Sequence, residues 1–180
     1  MSARLFVAVE VAEEDRLTLA AWARDAVGRD QGMRLVDPAQ VHLTMAFLGH
    51  RPLEEIDPLG QVVAGFAGAP APSLRTAGGL WLSPRRPHVL TVAVQDADGV
   101  LGELYERLWG ALEELGFERE RRRFRPHLTV ARVRHGWPAP RSRLPDLPER
   151  DLRAERLVLF RSWLGGGPAR YEALVRADLT

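Results

Sequence analysis

A six-residue pattern occurs twice in this chain, and it constrains the fold more than any other feature. Val41-His42-Leu43-Thr44-Met45-Ala46 and Pro126-His127-Leu128-Thr129-Val130-Ala131 both read apolar-His-Leu-Thr-apolar-Ala. The two histidines are 85 residues apart (127 − 42), close to half of the 180-residue length. Each copy falls in a segment that reads as a β-strand. Side chains on a strand alternate between faces. His42 and Thr44 therefore share one face, and Leu43 and Met45 the other. The same holds for His127 and Thr129 against Leu128 and Val130. Each strand buries an apolar face and presents His-x-Thr on the opposite side. If the two halves are related by approximate two-fold symmetry, the histidines face each other across a groove.

Two opposed imidazoles suit acid–base chemistry near neutral pH. Free imidazole titrates at about 6.5, so one ring can accept a proton while the other donates one. Each transfer is typically worth about 10²–10⁴ in rate. The threonine hydroxyls lie about 6.5–7 Å along the backbone and can donate to phosphoryl oxygens. A lone histidine on a half-exposed strand is ordinarily a surface residue, and the duplication is what argues for chemistry. Imidazole also ligates metals. Two histidines without a carboxylate in either motif make a poor metal set.

The remainder of the chain mixes strands and helices. Arg4–Val11, Met33–Val36, Val41–Leu48, Leu74–Leu82, His88–Val94, His127–Val133, Leu152–Leu164 and Tyr171–Leu179 read as strands. Ala12–Val27 reads as a helix, with Leu17, Leu19, Ala20, Ala23 and Val27 near helical spacing. Leu53–Phe66 reads as a second helix, and Ala97–Leu115 as the clearest one. Its stripe is Leu101, Leu104, Tyr105, Leu108, Leu112 and Leu115. Gly28, Gly49 and Gly116 read as stops, and Ala67–Pro72 as a linker. Turns are expected at Ser83-Pro84, Arg85–Pro87 and Gly165–Pro168, and an exposed loop at Gly136–Pro148. The strands do not alternate regularly with helices, which indicates an α+β fold with largely antiparallel sheets. No glycine-rich nucleotide fingerprint follows a strand.

Composition narrows the chemistry. The 25 basic residues are all arginine and balance 24 acidic ones to a net charge of +1. That excludes a polyanion-coating protein but leaves room for a local anion site. Without lysine there is no Walker-type loop, Schiff base or nucleotidyl-lysine. With no cysteine there is no disulfide and no Cys-based zinc site. The sequence carries no membrane-length apolar run and no signal-peptide pattern, so the expected compartment is the cytoplasm.

These motifs resemble those of the two-histidine phosphoesterase superfamily. The closest resemblance is to the bacterial and archaeal RNA 2′,3′-cyclic phosphodiesterases, historically called 2′-5′ RNA ligases. It extends through Arg4-Leu-Phe-Val-Ala-Val, His42 to Gly49, Phe124 to Arg132, Leu157 to Ser162 and Gly167 to Tyr171. The resemblance implies one domain over residues 1–180, built of two pseudo-symmetric lobes. Antiparallel sheets would line a central cleft, with helices outside. It implies hydrolysis of 2′,3′-cyclic phosphate ends of RNA to 2′-phosphomonoesters. His42 would donate a proton to the leaving 3′ oxygen, and His127 would activate water. Thr44 and Thr129 would hold the phosphate. No metal or organic cofactor is expected. The expected partner is RNA with 2′,3′-cyclic phosphate ends, tRNA fragments among them, met by a monomer that requires no protein partner or membrane. Small cyclic nucleotides, 2′-5′ linkages in either reaction direction, and RNA binding without catalysis are the alternatives.

Several residues have two readings. Arg132 matches a phosphate-gripping arginine of the family. Strict alternation turns it away from His127, so a bulge or strand end is needed to bring it inward; otherwise it forms a rim ion pair. The run Glu118–Arg125 is either a solvated connection or a clamp for RNA backbone. Trp81, Trp137 and Phe47 are candidates for base stacking, although parity places Phe47 in the core unless its strand bends. His50, His88 and His135 have no partner motif and read as structural or exposed. Thr91 stands where many relatives carry a larger apolar residue.

Overall fold

The first strand is apolar at almost every position because both of its faces are covered. It spans Ser2–Val11 (β1). Leu5, Val7 and Val9 enter the main core, while Phe6 and Ala8 join Val158 and Phe160 in a smaller cluster on the other face. The computed structural model describes residues 1–82, 87–138, 143–163 and 169–180. The turn expected at Ser83-Pro84, most of Arg85–Pro87, all of Gly165–Pro168 and part of Gly136–Pro148 lie outside those residues.

Among the described residues seven further strands follow in chain order. They are Met33–Leu35 (β2), Leu43–Pro52 (β3), Ser73–Leu82 (β4), Val89–Asp96 (β5), His127–Val133 (β6), Asp151–Trp163 (β7) and Arg170–Asp178 (β8). The helices are Glu13–Val27 (α1), Ile56–Ala64 (α2) and Val100–Glu114 (α3). Every strand pairing is antiparallel. The path β1-β3-β6-β5-β4-β7 returns to β1, so six strands close a ring; β2 adds to β6 and β8 to β7. The α+β class and antiparallel pairing thus agree with the order of elements in the sequence. The ring is thin at two seams. β3 meets β6 through the single pair Leu43/Leu128, and β4 meets β7 through three pairs beginning at Ser73/Arg153.

Helix α3 follows its stripe: Leu101, Leu104, Leu108 and Leu112 are fully or almost fully buried, with Tyr105 and Trp109 beside them. Each such side chain contributes about 1.5–3 kcal/mol on burial. The Asp96 carboxylate accepts from the backbone N–H of Gly99 and Gly102, satisfying orphan donors at the helix start. Leu115 differs from the reading: it lies past the helix end and is exposed. In α1, Leu17 is also exposed, and Trp22 and Asp15 take the buried positions. Gly49 does not end its strand. β3 continues to Pro52, and Gly49 adopts a left-handed φ of 73° beside a bulge at Leu48. A glycine that reads as a stop here accommodates an irregular ladder. Among the described residues no helix is long and apolar enough to cross a membrane.

Candidate active site

The seam between β3 and β6 brings the two motifs together. Leu43 pairs with Leu128. Extending that antiparallel register by one residue each way sets His42 across from Thr129, and Thr44 across from His127. On an ideal ladder the two histidine Cα atoms are then about 8 Å apart on the diagonal. Leu43 and Leu128 are both fully buried beneath. The four polar side chains all line one cavity of about 920 Å³.

The motifs match beyond their sequences. From His42 to Phe47, and from His127 to Arg132, burial runs alike: half-buried, buried, half-buried, buried, buried, exposed. Two successive buried residues signal a bulge. On β3 the extra residue is Met45, between Thr44 opposite Ala8 and Ala46 opposite Val7. On β6 it is Val130, between Thr129 opposite Thr91 and Ala131 opposite Leu90. Both bulges fall three residues after the histidine. Each reverses parity, so the residue five positions after the histidine turns back to the cavity. This is the irregularity that Arg132 needs, and Arg132 lines the cavity. It also overturns the core placement of Phe47, which is 58% exposed and lines the same cavity.

Both imidazoles are held in the same way. Nδ1 of His42 donates to the Gln40 carbonyl at 2.7 Å, and Nδ1 of His127 donates to the Arg125 carbonyl at 2.7 Å. A carbonyl can only accept, so the proton sits on Nδ1 in each neutral ring. Nε2 is left as the nitrogen that gains or loses a proton.

The surroundings of the rings differ. His42 stacks on Phe6 with ring centroids 4.9 Å apart, and meets the edge of Tyr171 at 5.2 Å. Phe160 lies 5.8 Å away. This aromatic surround removes water and lowers the His42 pKa from 6.5 to about 4, with smaller contributions from the positive charges of Arg132 and His127. The cavity wall is also strongly cationic. Arg34 pairs with Arg132 across β2 and β6, and Arg4, Arg24, Arg34 and Arg132 all line the cavity. Asp37 is the one acidic side chain lining it among the described residues. Such a wall favours an anion and grips it bidentately.

The pKa of His42 has a consequence for stability. Between pH 6.5 and 4 the unfolded chain protonates this histidine while the folded chain does not. Stability from this group is therefore present above pH 6.5 and lost as pH falls toward 4. The limit is about 3 kcal/mol, reduced by the exposed edge of the ring. Urea unfolding at pH 7 and pH 4 is expected to show a smaller acid loss in His42→Gln than in the wild type. Identical losses would remove burial of a neutral imidazole as the cause.

Other candidates fall away from this cavity. Trp81 packs against the core. Trp137 is half exposed and lies over Gly32. Neither lines the cavity. His50, His88 and His135 are exposed and do not line it. Thr91 is buried and its hydroxyl donates to the Leu80 carbonyl at 3.0 Å. The arginine run divides: Arg119 is held by Glu106 and Glu113, whereas Arg122, Arg123 and Arg125 line a neighbouring hollow. Arg4, Arg24, Arg34, Phe6 and Tyr171 are cavity residues that motif reasoning did not single out as site residues. The available signal was that Arg4, Phe6 and Tyr171 fall in the opening strand and closing hairpin that carry the family resemblance.

A family model, that of the 2′-5′ RNA ligase superfamily, matches residues 13–163. The chain belongs to this superfamily. Its relatives within the superfamily include a Thermus thermophilus protein named RNA 2′,3′-cyclic phosphodiesterase. That protein is 38% identical over 146 residues, 77% of this chain and 71% of the relative. A Geobacillus stearothermophilus protein of the same name is 30% identical over 97% of this chain; the match spans 56% of that relative's length. Among solved structures, one of a Thermus thermophilus protein superposes with a TM-score of 0.81 at 31% identity, covering 97% of each chain. Escherichia coli LigT, crystallised with 3′-AMP, superposes at 0.79 with 25% identity, covering 100% of this chain and 99% of LigT.

Proposed function

We propose that this chain hydrolyses 2′,3′-cyclic phosphate ends of RNA to 2′-phosphomonoesters. The observation that carries the reading is the four-cornered face at the β3–β6 seam, with two identically held imidazoles and two threonines around one space. Curated relatives bear the name of that activity, and a structural relative holds a nucleotide. We read the fold as two pseudo-symmetric lobes of one domain over residues 1–180. β1, β3, β7 and β8 form one lobe, and β2, β4, β5 and β6 the other. The thin seams and the matched bulges support this division.

Pseudo-symmetry leaves the roles of the histidines open, and the cavity walls distinguish them. Phe47 and Arg132 occupy the same motif position, one aromatic and one cationic. Phe6 and Tyr171 pack against His42, Phe47 lies beside Phe6, and together they offer a surface for base and ribose. The leaving 3′ oxygen belongs to that ribose, so His42 is the proton donor. His127 activates water on the opposite side of the phosphorus. Its Nε2 takes a proton as the water oxygen bonds to phosphorus. The phosphorus–O3′ bond breaks and O3′ takes the proton from Nε2 of His42. The products are a 3′ hydroxyl and a 2′-phosphomonoester. Proton exchange with solvent resets both rings. Thr44 and Thr129 donate to the phosphoryl oxygens, and Arg132 neutralises the charge that builds on them. No metal or organic cofactor enters this scheme.

In the unliganded protein His42 is neutral at pH 7. The bound phosphate supplies a negative charge that raises its pKa, so the ring is charged when it is needed. The test uses an oligonucleotide ending in 2′,3′-cyclic phosphate, with EDTA present. Conversion to the 2′-phosphate is expected. Because His42 is the donor, its deprotonation lowers the rate as pH rises, and this loss should set in at higher pH for kcat than for kcat/KM, because the first reports the complex and the second the free enzyme. Absence of turnover on every cyclic phosphate end would end the reading.

A further inference from the structure

We propose that the hollow beside the catalytic cavity binds the RNA strand immediately 5′ of the terminal nucleotide, making the chain selective for polymer ends over mononucleotides. The inference rests on the hydrolase reading and specifies its substrate. The hollow is about 520 Å³, room for one further nucleotide. It is continuous with the cavity, since Thr44, Phe47, Leu82 and His127 line both. Phe47 stands on the crest between them. A nucleoside stacked there has its 2′,3′ edge at the histidines, and its 5′ oxygen is free to lead over the crest.

The far wall carries what a phosphodiester requires. Arg122, Arg123 and Arg125 line it and are exposed. None of the three makes an ion pair among the described residues, whereas Arg119 in the same run makes two. Glu120 is the one carboxylate in this wall among the described residues, set against three guanidiniums. Phe124, between these arginines, stacks on Tyr105 at 4.0 Å and anchors the segment to α3. The arginines are therefore presented from a fixed base. The chain then runs directly into His127, whose imidazole is held by the Arg125 carbonyl.

The experiment compares a mononucleoside 2′,3′-cyclic phosphate with a tetranucleotide ending in the same group. The variant is Arg122→Gln/Arg123→Gln, which spares Arg125 and its carbonyl. The wild type is expected to favour the tetranucleotide in kcat/KM by tenfold or more. The variant should lose most of that advantage and hydrolyse the mononucleotide within twofold of the wild type. For the tetranucleotide, the slope of log kcat/KM against log salt should fall by about 0.7 per lost phosphate contact. Equal rates on both substrates in the wild type, or an advantage that survives in the variant, would overturn the groove and leave the hydrolase reading standing. If neither substrate turns over, the hydrolase reading fails. The groove is then judged by fluorescence anisotropy of a labelled tetranucleotide with a 2′-phosphate end, where equal affinity of wild type and variant overturns it.

Discussion

His42→Ala is expected to lose about 10²–10⁴ in kcat/KM on an RNA 2′,3′-cyclic phosphate, and under tenfold on a nucleoside phosphodiester with a p-nitrophenyl leaving group. His127→Ala is expected to lose about 10²–10⁴ on both. The asymmetry follows from the leaving groups. A ribose 3′ oxygen departs as a poor anion and needs a proton at the moment of bond cleavage. Nitrophenolate spreads its charge over the ring and needs none. Removing the donor therefore matters only for the first substrate, while removing the base that activates water matters for both. The losses correspond to about 3–5 kcal/mol of barrier. Both variants should stay folded, because the one hydrogen bond each ring makes among the described residues is local, to a carbonyl two residues before it. Chromogenic and oligonucleotide assays at one pH suffice. If His127→Ala is the variant rescued by the activated ester, the two roles are exchanged. If neither variant loses activity on either substrate, acid–base chemistry by this pair is refuted.

The legibility of this site depends on the scale of the signal. The histidine–threonine pattern was visible because period two is local: four residues suffice to assign a face. The α+β class was visible for a similar reason, from the order of elements. Phe47 was misplaced because parity reasoning assumes an unbroken ladder. The bulge at Met45 depends on the fit of β3 to β1, a contact between distant segments. Arg132 posed the same problem, and there the need for a bulge could be stated but not its presence. Val130 supplies it. The cationic wall was hidden for another reason. Arg4, Arg24, Arg34 and Arg132 come from four separate segments of a chain in which every basic residue is arginine. Residue type then carries no information, and only the packing of α1 and β2 against the strand ring brings those four together. Leu17 shows the converse: it kept an apparent helical spacing yet faces solvent, because Asp15 and Trp22 set which side of α1 is buried.

The burial of Asp15 leads to the second large effect. Asp15→Ala is expected to destabilise the fold by about 3–5 kcal/mol, because one buried carboxylate serves a backbone donor, a half-buried guanidinium and a helix N-terminus together. Asp15 is 3% exposed. One carboxylate oxygen accepts from the backbone N–H of Arg153 at 2.8 Å, and the other from the guanidinium of Arg150 at 3.1 Å. It also lies in the first turn of α1, where a negative charge is favoured by the helix dipole. Its removal leaves a backbone donor of β7 and a half-buried guanidinium without their acceptor. For a chain of this size, each kcal/mol shifts Tm by about 2–4 °C, so a fall of roughly 6–20 °C is expected by calorimetry. Asp15→Asn should fall less, since an amide oxygen can still accept from Arg153. The effect should reach the site as well, because the first turn of α1 is tied to β7 while its later turns carry Ala20 and Arg24 to the cavity wall. A Tm for Asp15→Ala within 2 °C of wild type would show that this joint does not hold α1 against the sheet.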